Sequence, residues 1–454
     1  MIKYETDSRK IVEGQTFVAI KGYTVDGHDY IDQAIKNGAK NIIAEKQVNA
    51  SVPVKVVENS AKYFQEKLVK EYSYKFKDLK IIGITGTNGK TTSAYLTYQM
   101  LNKLGKKAAY MGTIGYMCDN YYTELPNTTP EILTIYKLLE KSLENKCEYL
   151  VMEVSSHALA LNRIEGVNFD ICSFTNLTED HLDYHKTMDN YLKCKLLILD
   201  HIKENGEMLV NIDDEASRKF IEKFPNTKTY GMNGDYKIEK YDIYPDHTDL
   251  DFKVYGKDYK VKTNLTSKFN IYNYLTMFSI VHELGFNCED IINYTKDLKQ
   301  PKGRCETYKV KDGFAVVDYA HTPDAVLKVV TAYKELAKNR VITLVGCGGD
   351  RDPLKRPLMG EIASKYSDYV IFTNDNPRTE DPENIMKDIL NGVKKDNYEV
   401  CLDRKEAIKK ALDMIEKDDI VLLLGKGHED YQILGHTKVH LSDSEQILNY
   451  ISKE

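Results

Sequence analysis

A chain of 454 residues, 42% of them hydrophobic, is long enough for about three domains of roughly 150 residues, each with its own core. A formal charge of −6 gives no electrostatic case for nucleic acid as the main partner. The eight cysteines are scattered singly, which excludes a disulfide framework or zinc ribbon. The opening MIKYETDSRK has no apolar h-region and no later stretch approaches a membrane span, so a cytoplasmic protein without membrane insertion is expected.

Residues 1–78 carry short strand signals, Thr16–Ile20 and Asn41–Ala44, with helical stretches between them: a small α/β domain. Asp7-Ser8-Arg9 and Gly22–Gly27 read as turns, and the charged, aromatic stretch Glu71–Lys80 as a link to the next domain. The stretch Gly83–Thr92, GITGTNGKTT, follows an apolar run and precedes Leu96, Met100, Leu101 and Leu104 at helical spacing. Strand, glycine turn and helix form a phosphate cradle in which Gly86, Thr87, Asn88, Gly89 and Thr92 line the loop. There Lys90 would reach the β- and γ-phosphates and the Thr91 hydroxyl would hold Mg2+. Ile84 stands where the strict phosphate-loop pattern has its first glycine.

Farther on, Ala108–Tyr116 reads as one glycine-containing strand, and Asn127-Thr128-Thr129-Pro130 as a cap opening a helix to about Asn145. The apolar run Tyr149–Val154 carries Glu153 near its end, where sheets of this kind hold Mg2+. After the strand Phe169–Phe174, two histidines and three acids crowd Glu179–His185, a pattern shared by metal sites, phosphate sites and polar loops. Asn190–Asp200 is a helix whose lysines, Lys193 and Lys195, composition alone cannot tell apart. Alternating segments over residues 230–263 predict a small β-rich subregion, Asn270–Leu284 an apolar helix, and Gln300–Arg304 a hinge. Beyond it the β/α rhythm resumes, with polar clusters at Gly346–Arg351, Asn374–Arg378 and Gly425–Asp430 after three strand-like runs. Clusters on one carboxyl edge of an open sheet mark a second ligand site.

Taken in order, GTNGKTT, EVSSHAL, FTNLTEDHLDYH, FNIYNYL, DYAHTPDA, GCGGDRDPLKRPLMG, DNPRTE and GKGHEDYQ closely resemble the Mur ligases across nearly the whole chain. The resemblance implies an N-terminal UDP-MurNAc-binding domain (1–78), a central ATP-binding domain (79–303) and a C-terminal Rossmann-like amino-acid-binding domain (304–454). It also implies an ADP-forming amide ligase that phosphorylates the carboxylate of UDP-MurNAc-L-Ala-D-Glu and lets an amine attack the acyl phosphate. Lys90, Glu153, His181 and Lys195 would be catalytic. Thr91 and Glu153 would hold one Mg2+, His181 would help hold a second, and Lys195 matches the carbamylated lysine of the family. Ser8, Asn127, Thr128, Thr129, Ser155 and Arg163 match positions that contact the UDP substrate; Leu161 stands where many members have glutamine. Asn270, Arg304 and Asp318 match nucleotide-side positions, and His321 could lie near them or be structural.

Arg351, Asp375, Asn376, Pro377, Arg378, Gly425 and Glu429 would bind the amino acid. In this family DNPR accompanies diaminopimelate, whose second carboxylate a guanidinium can grip through two parallel hydrogen bonds, whereas lysine ends in a cation alone. The alternatives are a lysine-adding member, another Mur or folylpolyglutamate-type ligase, or a nucleotide-binding protein without turnover. A monomer is expected.

Overall fold

Period-two alternation builds the N-terminal sheet of the computed structural model, which describes residues 2–22 and 25–453. Strands β1 (Tyr4–Glu5), β2 (Thr16–Val18), β3 (Asn41–Ala44) and β4 (Val54–Val56) pair in parallel in that order. Phe17, Ile42 and Ala44 face the helix Ile31–Lys36, burying Ile31 and Ala34 with them. The intervening Val18 and Ile43 face the helix Ser60–Tyr72, through Phe64 and Leu68. The expected Gly22–Gly27 turn lies partly outside the described residues.

That second face opens into the core of the central sheet, where Tyr72, Phe76 and Leu79 pack in one cluster with Tyr136, Leu139 and Phe169. Glu71–Lys80 thus leads from the N-terminal sheet's helix to the strand that starts at Lys80 as a packed segment. Tyr72 and Phe76 are buried around the 3-10 turn Ser73–Phe76, and Phe76 meets Tyr136 edge to face at 5.5 Å. The charges that suggested solvent sit on the outer side, with Lys75 lying over the Tyr72 ring at 4.5 Å.

The chain divides into two compact units, Met1–Tyr230 with Ser279–Gly285 and Gly231–Phe278 with Phe286–Glu454. In the first, β5 (Lys80–Thr85), β6 (Ala108–Gly112), β7 (Gly115–Cys118), β8 (Tyr121–Thr123), β9 (Tyr149–Glu153), β10 (Phe169–Phe174), β11 (Ile202–Asn211) and β12 (Lys228–Gly231) run in the order β12-β11-β10-β5-β9-β6-β7-β8. Only β6–β7 and β7–β8 are antiparallel. The expected single strand Ala108–Tyr116 is a hairpin, because Gly115 at φ +106° turns the chain back after Gly112. Central β5 and β9 are buried along nearly their whole length, as parallel strands covered on both faces must be.

The second unit holds the antiparallel strands β13 (Tyr236–Ile243), β14 (Thr248–Val254) and β15 (Lys257–Thr263), the β-rich segment expected there. Its larger sheet has the order β16-β17-β21-β18-β19-β20, from β16 (Glu306–Val310), β17 (Gly313–Asp318), β18 (Val341–Val345), β19 (Tyr369–Phe372), β20 (Tyr398–Val400) and β21 (Ile420–Leu424). All neighbours but β16 and β17 are parallel. Val316, Val345, Phe372 and Leu422 pack on one face with the helices Pro323–Leu336, Lys355–Tyr366 and Pro382–Leu390. Val317, Leu344, Ile371 and Leu423 pack on the other with Arg404–Asp413 and Asp443–Ile451. The chain steps from β18 outward to β20 and then returns to lay β21 on the opposite side of β18. The loops leaving β18 and β21 therefore diverge and open a crevice at the carboxyl edge.

Candidate active site

The phosphate loop after β5 is shaped by two glycines. A Cβ on Gly86 would lie 1.9 Å from the Thr175 hydroxyl, and Gly89 takes φ +84° to enter the helix Lys90–Lys103. No side chain caps that helix, so its first N–H groups point at the loop as an anion site would need. The loop is tied to the segment after β10: Asn88 N donates to Asn176 Oδ1 at 2.9 Å, and Thr175 Oγ1 to the Asn88 carbonyl at 2.6 Å. The Thr87 hydroxyl lies 3.2 Å from both the Thr178 carbonyl and the Tyr191 hydroxyl. Lys90 Nζ donates to the carbonyls of Gly86 (2.9 Å) and Thr87 (2.8 Å).

Glu153 closes β9 fully buried, and uncharged donors converge on it. Thr91 Oγ1 donates to Oε2 at 2.8 Å, Tyr110 Oη and Thr113 N to Oε1 at 2.5 and 2.8 Å, and Thr113 Oγ1 lies 3.1 Å from Oε2. Thr113 comes from the β6–β7 turn, and its hydroxyl also meets Thr128 Oγ1 at 3.0 Å. Sequence reasoning missed Thr113 and Tyr110, because only the hairpin brings that turn over the end of β9. A hydroxyl and a carboxylate oxygen 2.8 Å apart suit a hard cation such as Mg2+, which is held by one or two carboxylates plus ligand phosphates rather than by an all-protein cage.

The helix expected from Asn127 starts instead at Ile132, with Glu131 as a cap residue whose side chain makes no cap bond. Thr129 is engaged elsewhere: its hydroxyl donates to the Glu153 carbonyl at 2.8 Å and accepts from Ser155 N at 3.0 Å. Thr128 and Thr129 thus sit beside the strand end, while Asn127 is exposed. Ser155 caps the helix Ser156–Ala160, accepting from Ala158 N. Arg163 is held by the Thr129 carbonyl (3.2 Å) and the exposed Glu131 carboxylate (2.5 Å). Leu161 is 41% exposed. Ser8 is buried in the N-terminal sheet region, its carbonyl accepting from Asn37 Nδ2 at 2.8 Å.

The structure separates the two helical lysines that composition could not. Lys195 is buried and donates to the Gly86 carbonyl at 2.7 Å, with the Tyr191 ring 4.4 Å from Nζ. Burial, reinforced by the charge of Lys90, holds its ammonium well below the usual lysine range. Beside it His157, His181 and His185 cluster, with ring centroids 4.9 Å (157–181) and 5.4 Å (157–185) apart. His181 takes φ +53° and pairs with Asp180 at 3.6 Å. Burial, then the neighbouring His157, pushes His185 down to about 4, and its Nε2 lies 2.9 Å from Ser156 Oγ.

In the second unit, Asn270 is buried and donates to the Thr266 carbonyl at 2.8 Å. The Arg304 guanidinium lies 4.8 Å from the Tyr319 ring centroid, its buried Nε without a hydrogen-bond partner among the described residues. Asp318, at the end of β17, accepts from Cys305 N and Ala320 N, each at 2.8 Å; burial raises its carboxyl against the opposing pull of Arg304. His321 lies on the same turn, its Nδ1 2.8 Å from the Tyr319 carbonyl.

The three polar clusters meet at the carboxyl edge of the larger sheet. Arg378, at φ +54°, donates through Nη1 to the Gly349 carbonyl at 2.7 Å and lies 3.5 Å from the Asn376 carbonyl. A Cβ on Gly348 would come 2.9 Å from that guanidinium, so the glycine makes room for it. Asn376 Nδ2 donates to Glu429 Oε2 at 2.8 Å. A Cβ on Gly425, at φ +108°, would come within 3.7 Å of Asp375 Oδ2, and Arg351 is exposed on the loop after β18. Pro377 backs this loop: a Cβ on Gly349 would strike its carbonyl at 1.9 Å. Sequence reasoning missed the charges beneath. Arg404, fully buried, grips Asp443 at 2.9 and 2.5 Å and donates to the Leu424 carbonyl at 3.1 Å. Arg356 holds Glu380 (2.6 and 2.7 Å) and Asp388 (2.9 Å). Among the described residues no helix is long and apolar enough to cross a membrane.

Comparisons with known proteins accord with this architecture. Three family models match: the Mur ligase family catalytic domain over residues 4–79, the Mur ligase middle domain over 84–281, and the Mur ligase glutamate ligase domain over 303–427. The chain is 43% identical to the UDP-N-acetylmuramoyl-L-alanyl-D-glutamate–2,6-diaminopimelate ligase 1 of Clostridium acetobutylicum, covering 98% of this chain and 94% of that one. It is 42% identical to the corresponding ligase of Fusobacterium nucleatum, over 97% and 92%. A solved structure of a ligase of the same name superposes with a TM-score of 0.71 at 30% identity, covering 99% of this chain and 94% of that one. The MurF ligase of Thermotoga maritima, solved with ADP, shares the fold with a TM-score of 0.70 at 23% identity, over 100% and 97%. The chain belongs to the Mur ligase family.

Proposed function

We propose that this chain joins diaminopimelate to UDP-MurNAc-L-Ala-D-Glu, forming an amide, ADP and phosphate, as a monomeric enzyme of cytoplasmic peptidoglycan precursor synthesis. The observation that carries the amino-acid choice is the pair of opposite charges bridged by Asn376. Its carbonyl faces the Arg378 guanidinium, and its amide group donates to Glu429. A zwitterionic side-chain terminus, carboxylate beside ammonium, matches that pair; the lone ammonium of lysine matches only half of it. The full-length likeness to ligases named for this amino acid supports the same choice.

The remaining roles follow from charge. Two anions must approach for a carboxylate to attack a γ-phosphate, so Lys90 and the helix N-terminus neutralise the phosphates. Thr91 and Glu153 would hold Mg2+, which as a Lewis acid supplies further positive charge there. A neutral Lys195 amine is what reaction with CO2 requires, and burial shifts the lysine toward that form. The carbamate would be a new anion next to Lys90. His181 stands at the edge of this group. Asn127, Thr128, Thr129, Ser155 and Arg163 would receive the UDP-linked peptide, with Ser8 on its uridine side. Asn270, Arg304 and Asp318 would serve the nucleotide. Residues 1–78, 79–303 and 304–454 would be the domains that carry these three tasks.

Phosphate release tests the reading. With ATP, UDP-MurNAc-L-Ala-D-Glu and Mg2+, turnover is expected on adding diaminopimelate and not lysine. Faster release with lysine would reverse the specificity, and none with any amino acid would leave only a nucleotide-binding protein.

A further inference from the structure

Lys426 lies between the two glycines of the loop after β21, and no role above uses it. It is completely buried. Its Nζ lies 3.4 Å from Asn376 Oδ1, 3.4 Å from Glu429 Oε2 and 3.8 Å from Asp375 Oδ1, and it also donates to the Tyr431 carbonyl. Residues at which it ends are thus residues assigned to the amino-acid pocket.

A buried ammonium is costly unless its donors are used, and here they orient two pocket groups at once. Asn376 Oδ1 accepts from Lys426 and from Ile433 N at 2.9 Å, which fixes the amide so that Nδ2 must face Glu429. Glu429 Oε2 accordingly receives two donors, while Oε1 accepts no hydrogen bond among the described residues. The second carboxylate, Asp375, has a buried Oδ1 with no hydrogen-bond partner among the described residues, and the same ammonium lies 3.8 Å from it. One ammonium thus sits between two carboxylates while leaving acceptor oxygens unused.

We propose that Lys426 is the positioning residue of the amino-acid pocket: it aims Glu429 and Asn376 so that one carboxylate oxygen stays available for the ammonium of an incoming amino acid. This rests on the ligase reading above and adds the device that keeps its anionic half in place. Lys426 need not touch substrate. It acts through Glu429.

The test is steady-state kinetics of Lys426→Met, Glu429→Gln and the double variant, with ATP, UDP-MurNAc-L-Ala-D-Glu and diaminopimelate varied in turn. Lys426→Met is expected to raise KM for diaminopimelate by roughly tenfold or more, beyond any fall in kcat, and to leave the other two KM values within about twofold. In the Glu429→Gln background the same change should add little, since the carboxylate it aims is gone. Equal increases in all three KM values, or fully additive effects in the double variant, would reduce Lys426 to a packing residue and overturn the proposal. Should Lys426→Met not fold, Lys426→Gln, which keeps a donor for the Tyr431 carbonyl but no charge, carries the same expectations. A wild-type protein that releases no phosphate with diaminopimelate would instead sink the underlying ligase reading, so the two failures are distinct.

Discussion

The lysines and arginines of the two units are held in two different ways, some by backbone carbonyls and some by carboxylates. In the first unit Lys90 and Lys195 both donate to the Gly86 carbonyl, a dipole rather than a carboxylate. In the second, Arg378 rests in the same manner on the Gly349 and Asn376 carbonyls. Arg404 and Arg356, by contrast, are bound to carboxylates, and their charge is spent inside the protein. Arg163 is intermediate, gripping a carbonyl and the exposed carboxylate of Glu131. An anionic substrate gains most from a guanidinium that rests on carbonyls, as Arg378 does, because binding then need not break a salt bridge to a carboxylate.

Breaking one member of each class tests this division. The largest effect belongs to a carboxylate-held cation and appears in stability. Arg404→Met strands Asp443 in a dry site, at a cost of about 3–5 kcal/mol, read as a lower urea midpoint. A variant as stable as wild type would remove Arg404 from the framework. Next comes Lys90→Met, which should leave the melting curve almost in place while phosphate release falls by about 10²–10³, the usual effect of losing one charge-stabilising donor. Loss of stability without loss of rate would invert the comparison. Arg378→Ala is smaller. Losing a charge-assisted pair to a substrate carboxylate is worth about 2 kcal/mol, roughly thirtyfold in KM for diaminopimelate, with KM for ATP unmoved. An unchanged KM would take Arg378 out of the pocket.

Lys90 was legible in the sequence and the carboxylate-held cations were not, for a physical reason. Lys90 reaches carbonyls three and four residues away, so the glycine-rich motif already contains its geometry. Arg378 was marked by the short DNPR motif, although its 2.7 Å partner, the Gly349 carbonyl, lies 29 residues away. Arg404 and Asp443 stand 39 residues apart on two helices, and nothing local announces that they meet. The same limit hid Thr113 from Glu153 until the β6–β7 turn placed it there. Strands such as Asn41–Ala44 and Phe169–Phe174 were readable to the residue, since apolar runs of that length bounded by polar ones leave little choice. The segment Glu71–Lys80 was readable as a connection but not as a packed one, because its charged residues hide the burial of Tyr72 and Phe76.

Acid sharpens the comparison most gently, since it adds cations that neither class prepares for. His185 in the first unit and His428 in the second are each pushed down to about 4, chiefly by burial. The neutral imidazole is therefore the folded form, and the unfolded chain, near 6.5, binds more protons in the interval between. Their contribution is fully present above about pH 6.5 and is lost as pH falls toward 4. The urea midpoint should thus decline steadily from pH 7 to pH 5, by an amount well short of the Arg404 effect. His185→Gln and His428→Gln should each flatten that decline, and flatten it further together, because the side chains belong to separate compact units. The slope will not vanish, as burial also lowers His157, His201, His282 and His321. A slope untouched by either substitution would mean that these rings take up protons without resistance from the fold, and that the packing of His185 against Tyr191, with centroids 4.8 Å apart, does not hold it neutral.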